Sequence, residues 1–252
     1  LYGFLEITEE TARTPAITEI FQVRALYPTT GWSAERLSSA GHLRIGLGWI
    51  ITPMSSKTYP SLLTESKLFE RGNRFVIGID EVGRGAIAGP VAVGVALIDK
   101  LNPELKAWPE KLQDSKLMTP KSRADIAEPL ESWVEDFAVG YSSNQEIDAS
   151  GISEALRSAA SRALAQLLSE NSLRSKLASE GTVILLDGSQ NWLGKQAAGL
   201  EVDLQVKADT NCVSVAAAAV LAKVKRDGLM EDHHSTYPVS YTHLTLPTNR
   251  EV

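Results

Sequence analysis

Two adjacent carboxylates, Asp80 and Glu81, end an apolar run and directly precede a glycine-rich turn in the stretch "VIGIDEVGRGAIAGP". A third acid, Asp187, ends the apolar run "VILLDG", and Asp227 follows Lys223 by four residues in a long helical pattern. A few carboxylates can hold a divalent cation such as Mg²⁺ and leave room for phosphate oxygens. Two such ions can activate water and stabilise a leaving oxygen. The acids therefore indicate metal-assisted phosphoryl chemistry.

The adjacency of Asp80 and Glu81 poses a geometric problem, because neighbouring residues on a regular strand point to opposite faces of the sheet. We expect the strand to lose its regularity at these two acids. Gly83 and Gly85 tolerate backbone angles that other residues avoid, and they leave the backbone bare enough to approach a ligand. The stretch therefore predicts metal ligands followed by a turn that contacts substrate.

Each acid taken singly has an ordinary alternative explanation. Asp80 and Glu81 fit a solvated strand end, Asp187-Gly188 is common turn chemistry, and Asp227 with Lys223 fits a surface ion pair worth a few tenths of a kcal/mol. A nucleotide-binding turn is a further alternative. However, the glycines follow the pattern GxGxxxG instead of GxGxxG, and residues 86–98 look like a strand where a phosphate-binding helix should begin.

The surrounding sequence alternates between strand and helix patterns, which predicts an α/β domain with a mixed sheet flanked by helices. The first strands are expected to form a hairpin and the later ones crossover units. The helix over 152–171 should bury Ile152, Leu156, Ala160, Leu164 and Leu167 on one face. We predict strands at Arg74–Ile79, Val91–Asp99, 135–143, 182–188 and 200–209, and helices in 54–75, from Thr119-Pro120 onward, over 152–171 and over 212–232.

The composition is that of an ordinary globular protein, with 252 residues, 43% hydrophobic and 22% charged, and a net charge of −6. The single cysteine, Cys212, excludes an internal disulfide and fits a reducing compartment. No apolar run approaches the roughly 18 residues of a membrane span. We expect a cytoplasmic monomer without membrane association.

The two ends of the chain lack the strand and helix patterns of residues 54–238. Residues 1–53 show no sustained period, and the first methionine is Met54, so we predict a non-native or disordered extension there. The stretch "VSYTHLTLPTNREV" after Pro238 resembles a translated adapter, so residues 239–252 are predicted to be a non-native tail. The catalytic domain is then expected over 54–238, without its C-terminal part.

Taken together, the segments resemble bacterial ribonuclease HII. The matching stretches are "GIDEVGRGAIAGPVAVGVALID", "LQDSKLMTPKSR", "EIDASGI", "VILLDG", "KAD" and "SVAAAAVLAKVKRDGLM". The resemblance implies a ribonuclease H-like fold and a metal cluster of Asp80, Glu81, Asp187 and Asp227. It also implies Mg²⁺ or Mn²⁺ as cofactor, and a Gly83–Arg84–Gly85 turn that senses the 2′-hydroxyl, the group that distinguishes RNA from DNA.

The implied activity is endonucleolytic hydrolysis of RNA in RNA–DNA hybrids and of single ribonucleotides embedded in duplex DNA, leaving 3′-hydroxyl and 5′-phosphate ends. Lys116, Lys207 and Lys223 are candidates for phosphate contacts, which position a duplex without reading its sequence. For each lysine a solvated surface role is an equal alternative. Ser214 and Arg226 are possible neighbours of the site, although core or helix-surface roles are favoured.

The chain departs from the family's pattern after Tyr237-Pro238, where members continue with a glycine- and tyrosine-containing stretch that helps recognise the junction between ribonucleotide and deoxyribonucleotide. Tyr241 has different surroundings, so that role is not assigned to it. Weak or absent cleavage is therefore expected. The alternative function is that of a catalytically impaired fragment that binds metal or nucleic acid.

Overall fold

The computed structural model describes residues 59–197 and 199–234, together with four strand segments between residues 21 and 53. The chain divides into two units, Leu1–Lys57 and Thr58–Val252. Of the first unit only the strands are described. The remainder of the predicted extension 1–53 and the predicted tail 239–252, with Tyr241, lie outside the described residues.

The first unit contains a small antiparallel sheet with the strand order β1-β4-β3-β2. None of these strands was predicted, because the segment lacks the alternation that marks a half-buried strand. The strands are β1 (Phe21–Ala25), β2 (Ala34–Arg36), β3 (Leu43–Ile45) and β4 (Trp49–Pro53).

The second unit contains a five-stranded sheet and seven α-helices within its described residues. Its strands are β5 (Phe75–Val82), β6 (Val91–Asp99), β7 (Asp136–Ser142), β8 (Thr182–Asp187) and β9 (Glu201–Gln205). Its helices are α1 (Leu63–Glu70), α2 (Pro120–Trp133), α3 (Asn144–Ser150), α4 (Ile152–Leu167), α5 (Asn171–Ser179), α6 (Ala208–Asn211) and α7 (Val213–His234).

The strand order is β7-β6-β5-β8-β9. Strands β5, β6 and β7 pair antiparallel, whereas β8 runs parallel to both β5 and β9. The predicted mixed sheet is confirmed, including the hairpin-like start and the later parallel strands. The carboxyl ends of β5, β8 and β9 lie at one edge, where ligand sites of α/β sheets gather.

Helices cover both faces of this sheet. One face packs against α1, α2 and α7 through a cluster that includes Leu68, Leu130 and the run 215–218. The other packs against α4 and α5, and four of the five residues predicted for the buried face of α4 are buried there, with Ile152 packed at the margin. Among residues 59–197 and 199–234, no helix is both long and apolar enough to cross a lipid bilayer.

Helix α7 lies unusually close to the sheet because two strand residues have no side chain. A Cβ atom at Gly78 of β5 would stand 2.3 Å from the carbonyl carbon of Ser214, and one at Gly94 of β6 would stand 2.4 Å from the carbonyl oxygen of Ala218. The alanine-rich stretch of α7 completes this close approach. The packing fixes the position of α7, and of the acids near it, relative to the ends of the strands.

Candidate active site

Asp80 and Glu81 lie on a strand that stays regular through both residues. Strand β5 continues to Val82, with Asp80 opposite Gly94 and Glu81 opposite Val93 of β6. The predicted break at the acids is therefore wrong. The strand stays regular because β6 offers hydrogen-bonding partners beyond the point where the pairing of β5 with β8 ends, at Ile79 and Leu186.

Asp80 is the buried member of the pair, with 3% of its surface exposed, whereas Glu81 is half-buried. The backbone N–H of Glu81 donates to Oδ1 of Asp80 at 2.9 Å. Burial raises the pKa of Asp80 well above its usual range, and the charges of Glu81, Asp209 and Asp187 raise it further while Lys116 opposes them. Asp80 is thus a buried acid within reach of three other carboxylates.

Asp187 ends β8 next to β5, so the carboxyl ends of two parallel strands place it beside Asp80. Its Oδ1 accepts a hydrogen bond from the backbone N–H of Ala208 at 2.7 Å. Burial raises the pKa of Asp187, the Ala208 bond opposes this rise, and the charge of Asp209 adds to it. Asp80 and Asp187 are therefore close enough for their charges to interact, and their shared metal site stays a prediction.

Asp209 was not predicted, and the structure brings it into the same group. It lies on the short helix α6 and is 5% exposed. Lys207, in the left-handed conformation with φ 58°, turns the chain from β9 into α6. The signal for Asp209 was its place just after β9, a parallel strand beside β8, since acids at neighbouring carboxyl ends converge.

Lys116 supplies the positive charge of the group. Its Nζ lies 3.1 Å from Oδ2 of Asp209. Although partial burial opposes its charge, Asp209 and Asp80 hold the pKa of Lys116 above its usual value. Of the three lysines predicted to contact phosphate, the structure ties Lys116 to the carboxylates. Lys207 is exposed at the start of α6, and Lys223 pairs with Asp227.

Asp227 lies on α7 between two cations. The Nζ of Lys223 is 2.5 Å from Oδ1 of Asp227, and Nη2 of Arg123 is 3.3 Å from its Oδ2. The strongest charge effects on Asp80 come from Glu81, Asp209, Lys116 and Asp187. The metal-ligand role of Asp227 stays a prediction, and its contacts are those of an ion-paired residue.

The glycine turn packs against the Arg226 side chain of α7. Gly83 has φ 90°, and a Cβ there would stand 2.5 Å from Nε of Arg226. The Arg226 side chain donates to the carbonyl oxygens of Pro90 at 2.8 Å and Ala88 at 3.2 Å. By contrast, a Cβ at Gly85 would meet nothing within 4 Å, so this side of the turn is open.

Two other residues singled out from the sequence have different surroundings. The Arg84 side chain is exposed, with Nη1 3.5 Å from Oε1 of Glu81. Ser214 is buried, and its N–H and hydroxyl both donate to Oε1 of Glu65 on α1, at 2.9 and 2.8 Å. The core role favoured for Ser214 agrees with these bonds, which tie α1 to the start of α7.

The donor set suits a hard divalent cation, because carboxylate oxygens are the ligands that Mg²⁺ and Mn²⁺ prefer. Burial of several acids around Asp80 also favours a cation there. Within the described part of the chain, however, no three His, Cys, Asp or Glu side chains are arranged to hold an ion. Asp187 is engaged by the Ala208 amide and Asp209 by Lys116.

The strand order β7-β6-β5-β8-β9, antiparallel from β7 to β5 and parallel from β5 to β9, with helices on both faces, is that of the ribonuclease H-like fold. Bst-RNase HIII, solved in complex with Mn²⁺, shares this fold with a TM-score of 0.55 at 20% identity, over 81% of this chain and 74% of that one. Residues 77–242 match the family model of ribonuclease HII. The chain belongs to the ribonuclease HII family.

Curated relatives named ribonuclease HII agree with this assignment. The protein of Streptomyces avermitilis is 43% identical over 161 residues, which cover 64% of this chain and 61% of that protein. The protein of Paracoccus denitrificans is 36% identical over 180 residues, covering 71% and 77%. The chain thus spans about three fifths of the length of the Streptomyces relatives that it matches.

Proposed function

We propose that this protein is an endonuclease that hydrolyses RNA paired with DNA, including a single ribonucleotide embedded in duplex DNA, with Mg²⁺ or Mn²⁺ as cofactor. The products are 3′-hydroxyl and 5′-phosphate ends. The observation that carries the proposal is the group of buried Asp80 and Asp209 with half-buried Asp187 at neighbouring strand ends, directly beside an open glycine turn. Family membership supports the same activity.

The metal ligands that we propose are Asp80, Glu81, Asp187 and Asp209. The first three follow from the sequence, and Asp209 takes the fourth place because it is buried at the neighbouring strand end and its charge raises the pKa of both Asp80 and Asp187. Two divalent ions, when bound, supply Lewis-acid stabilisation of the charge that develops on the phosphodiester. The protein's part is to hold four acids together against their mutual repulsion, through burial and the rigid close packing of α7.

The substrate-facing residues are proposed to be the Gly83–Gly85 turn, Arg84 and Lys116. The open backbone at Gly85 can approach the ribose closely, and the 2′-hydroxyl is both a hydrogen-bond donor and an acceptor. Arg84 and Lys116 carry exposed positive charge next to the acids. Such charges bind phosphates and fix the register of the duplex without reading bases. Lys207 and Lys223 remain proposed phosphate contacts of lesser support.

The test is cleavage of a labelled DNA duplex that contains one ribonucleotide, with an all-DNA duplex of the same sequence as control and Mg²⁺ or Mn²⁺ titrated. We expect a single cut at the ribonucleotide, ligatable 3′-hydroxyl ends, and loss of cleavage in Asp80→Asn. Equal cutting of the all-DNA duplex, or cleavage that persists in Asp80→Asn and in excess chelator, would refute the proposal.

A second candidate function is binding of metal and duplex without efficient cutting. The observation that favours it is that no three acids among the described residues stand ready to hold an ion. The same assay separates the two candidates once binding is measured alongside it. Retained Mn²⁺ and duplex binding with no cleavage would select the second candidate.

A further inference from the structure

Arg123 is a buried arginine that was not among the site residues predicted from the sequence. It lies in the first turn of α2, where the Thr119 hydroxyl caps the helix by accepting the N–H of Ser122 at 3.1 Å. Arg123 is 7% exposed. Burial of an arginine is costly unless its donors are satisfied, so the partners of this guanidinium indicate what it holds in place.

Its partners lie on both sides of Lys116. Nη1 of Arg123 donates to the carbonyl oxygen of Ser115 at 2.8 Å and to that of Met118 at 2.7 Å. Lys116 lies between them in a single 3-10 turn, Ser115–Leu117, whose start is capped by the Asp114 side chain. The guanidinium therefore closes the turn that carries Lys116.

The other arm of Arg123 reaches α7. Its Nη2 lies 3.3 Å from Oδ2 of Asp227, whose Oδ1 is held by Lys223. The chain of contacts therefore runs from α7 through Asp227 and Arg123 to the Lys116 turn, and from Lys116 to Asp209. Every step is a charge-assisted hydrogen bond or ion pair, the strong class of polar contact.

We propose that Arg123 is a positioning residue that acts through Lys116, and that Asp227 is the anchor that holds Arg123 on α7. Asp227 then acts at the active site without binding metal. The inference rests on the proposed function only because that function has Lys116 contact the substrate. The contacts themselves stand independently of the reaction.

The first experiment measures the turn directly, by hydrogen–deuterium exchange of a peptide covering residues 112–119. The N–H of Leu117 bonds to the carbonyl of Asp114 at 2.9 Å and that of Lys116 to the Asp114 side chain at 2.9 Å. We expect Arg123→Gln and Asp227→Asn each to raise exchange there at least about threefold, because opening the turn releases these amides. Unchanged exchange in both variants would overturn the proposal.

The matched control is Arg74→Gln. Arg74 is half-buried, and it pairs with Asp99 and Glu180 just before β5 begins, whereas Asp80 lies near the other end of that strand. Its loss should lower stability without changing exchange in residues 112–119. Asp227→Asn should keep α2 on α7, because Lys225 and Glu131 form a separate ion pair at 2.8 Å.

The second experiment is a double-mutant cycle on cleavage with Arg123→Gln and Lys116→Met. If Arg123 acts through Lys116, each change lowers kcat/KM by about tenfold or more, since a displaced contact group is costly, and the double variant stays within about twofold of Lys116→Met alone. Multiplying effects would show that Arg123 acts elsewhere. Arg123→Lys, which keeps a donor and the charge, should recover part of the loss.

The third experiment separates anchoring from metal binding. Mn²⁺ affinity, measured by calorimetry, should stay within about twofold of the wild type in Asp227→Asn and fall by about tenfold or more in Asp209→Asn, because removing a direct ligand costs more than removing a distant charge. Equal losses of Mn²⁺ affinity in the two variants would show that Asp227 is a metal ligand and would overturn the proposal. Hydrogen–deuterium exchange and Mn²⁺ affinity can be measured without turnover. An inactive wild-type protein would therefore refute the proposed function, while these two measurements would still test the role of Arg123 and Asp227.

Discussion

The close contact between β5 and α7 predicts a large effect for the smallest possible substitution, Gly78→Ala. The added Cβ would stand 2.3 Å from the carbonyl carbon of Ser214, 2.5 Å from its oxygen and 2.6 Å from the nitrogen of Val215. All three atoms belong to the backbone, so no side chain can rotate away. Ordinary contact begins at 3.4 Å, so the strand and the helix must separate by about 1 Å.

The free energy of unfolding should fall by about 1–3 kcal/mol, the usual cost of overfilling a packed core. For a domain of this size that corresponds to a melting temperature lower by roughly 2–12 °C. Activity should fall further than stability, because Gly78 lies two residues before Asp80 while Ser214 lies five after Asp209. A displacement of about 1 Å between catalytic groups can cost about a hundredfold in rate.

Thermal unfolding followed by circular dichroism, together with cleavage of a ribonucleotide-containing duplex at a temperature where both proteins are folded, measures the two effects. Gly228→Ala is the matched control on α7, because a Cβ there meets nothing within 4 Å and alanine favours a helix by up to about 1 kcal/mol. A Gly78→Ala protein that melts within about 1 °C of the wild type would contradict the reasoning on packing.

Two further predictions concern buried ionisable groups. Because burial and neighbouring acids raise the pKa of Asp80, the folded protein binds a proton that the unfolded chain releases, and stability without metal falls as the pH rises above about 4. Asp80→Asn should therefore be more stable than the wild type in chelator at pH 7, by about 1 kcal/mol or more; a gain that persists unchanged at pH 3.5 would contradict this origin. Burial, and then the charge of Glu65, raise the pKa of the Cys212 thiol to about 12, so iodoacetamide at pH 8 should label it only after unfolding; rapid labelling of the native protein would show that the α6–α7 junction opens.

The arrangement of the second unit could be predicted because its strands and helices have strong local signals. Strand β6 has the predicted bounds, Val91–Asp99, and helix α2 begins at Pro120 after the predicted Thr119 cap. Helices α3, α5 and α6 were missed because they are short or lack a sustained apolar face: α3 buries no residue and α5 only Leu177. Short helices depend on tertiary contacts more than on periodicity; α3, for example, is fixed by a capping box between Ser143 and Glu146.

The sequence placed a residue at the site where one element decides its position, and missed one where two elements decide it. Asp80, Glu81 and Asp187 each end an apolar strand, which the sequence displays directly. Asp209 depends on β9 lying beside β8 and on a left-handed turn at Lys207. Neither fact can be read from the stretch "KAD" alone, so the sequence did not predict that Asp209 is buried at the site.

Asp227 shows why position along a helix does not define chemistry. In the sequence, Lys223 and Asp227 fit equally well a surface ion pair or a ligand compensated by a cation. The distinction depends on Arg123, which lies 104 residues away in the chain and meets Asp227 only after α2 packs against α7. Once a carboxylate is paired with two cations, using it as a metal ligand would require breaking both pairs. A buried acid whose charged neighbours are mostly other acids, such as Asp80, gains from a metal instead. The same physics therefore supports both proposals, Asp80 as a metal ligand and Asp227 as an anchor.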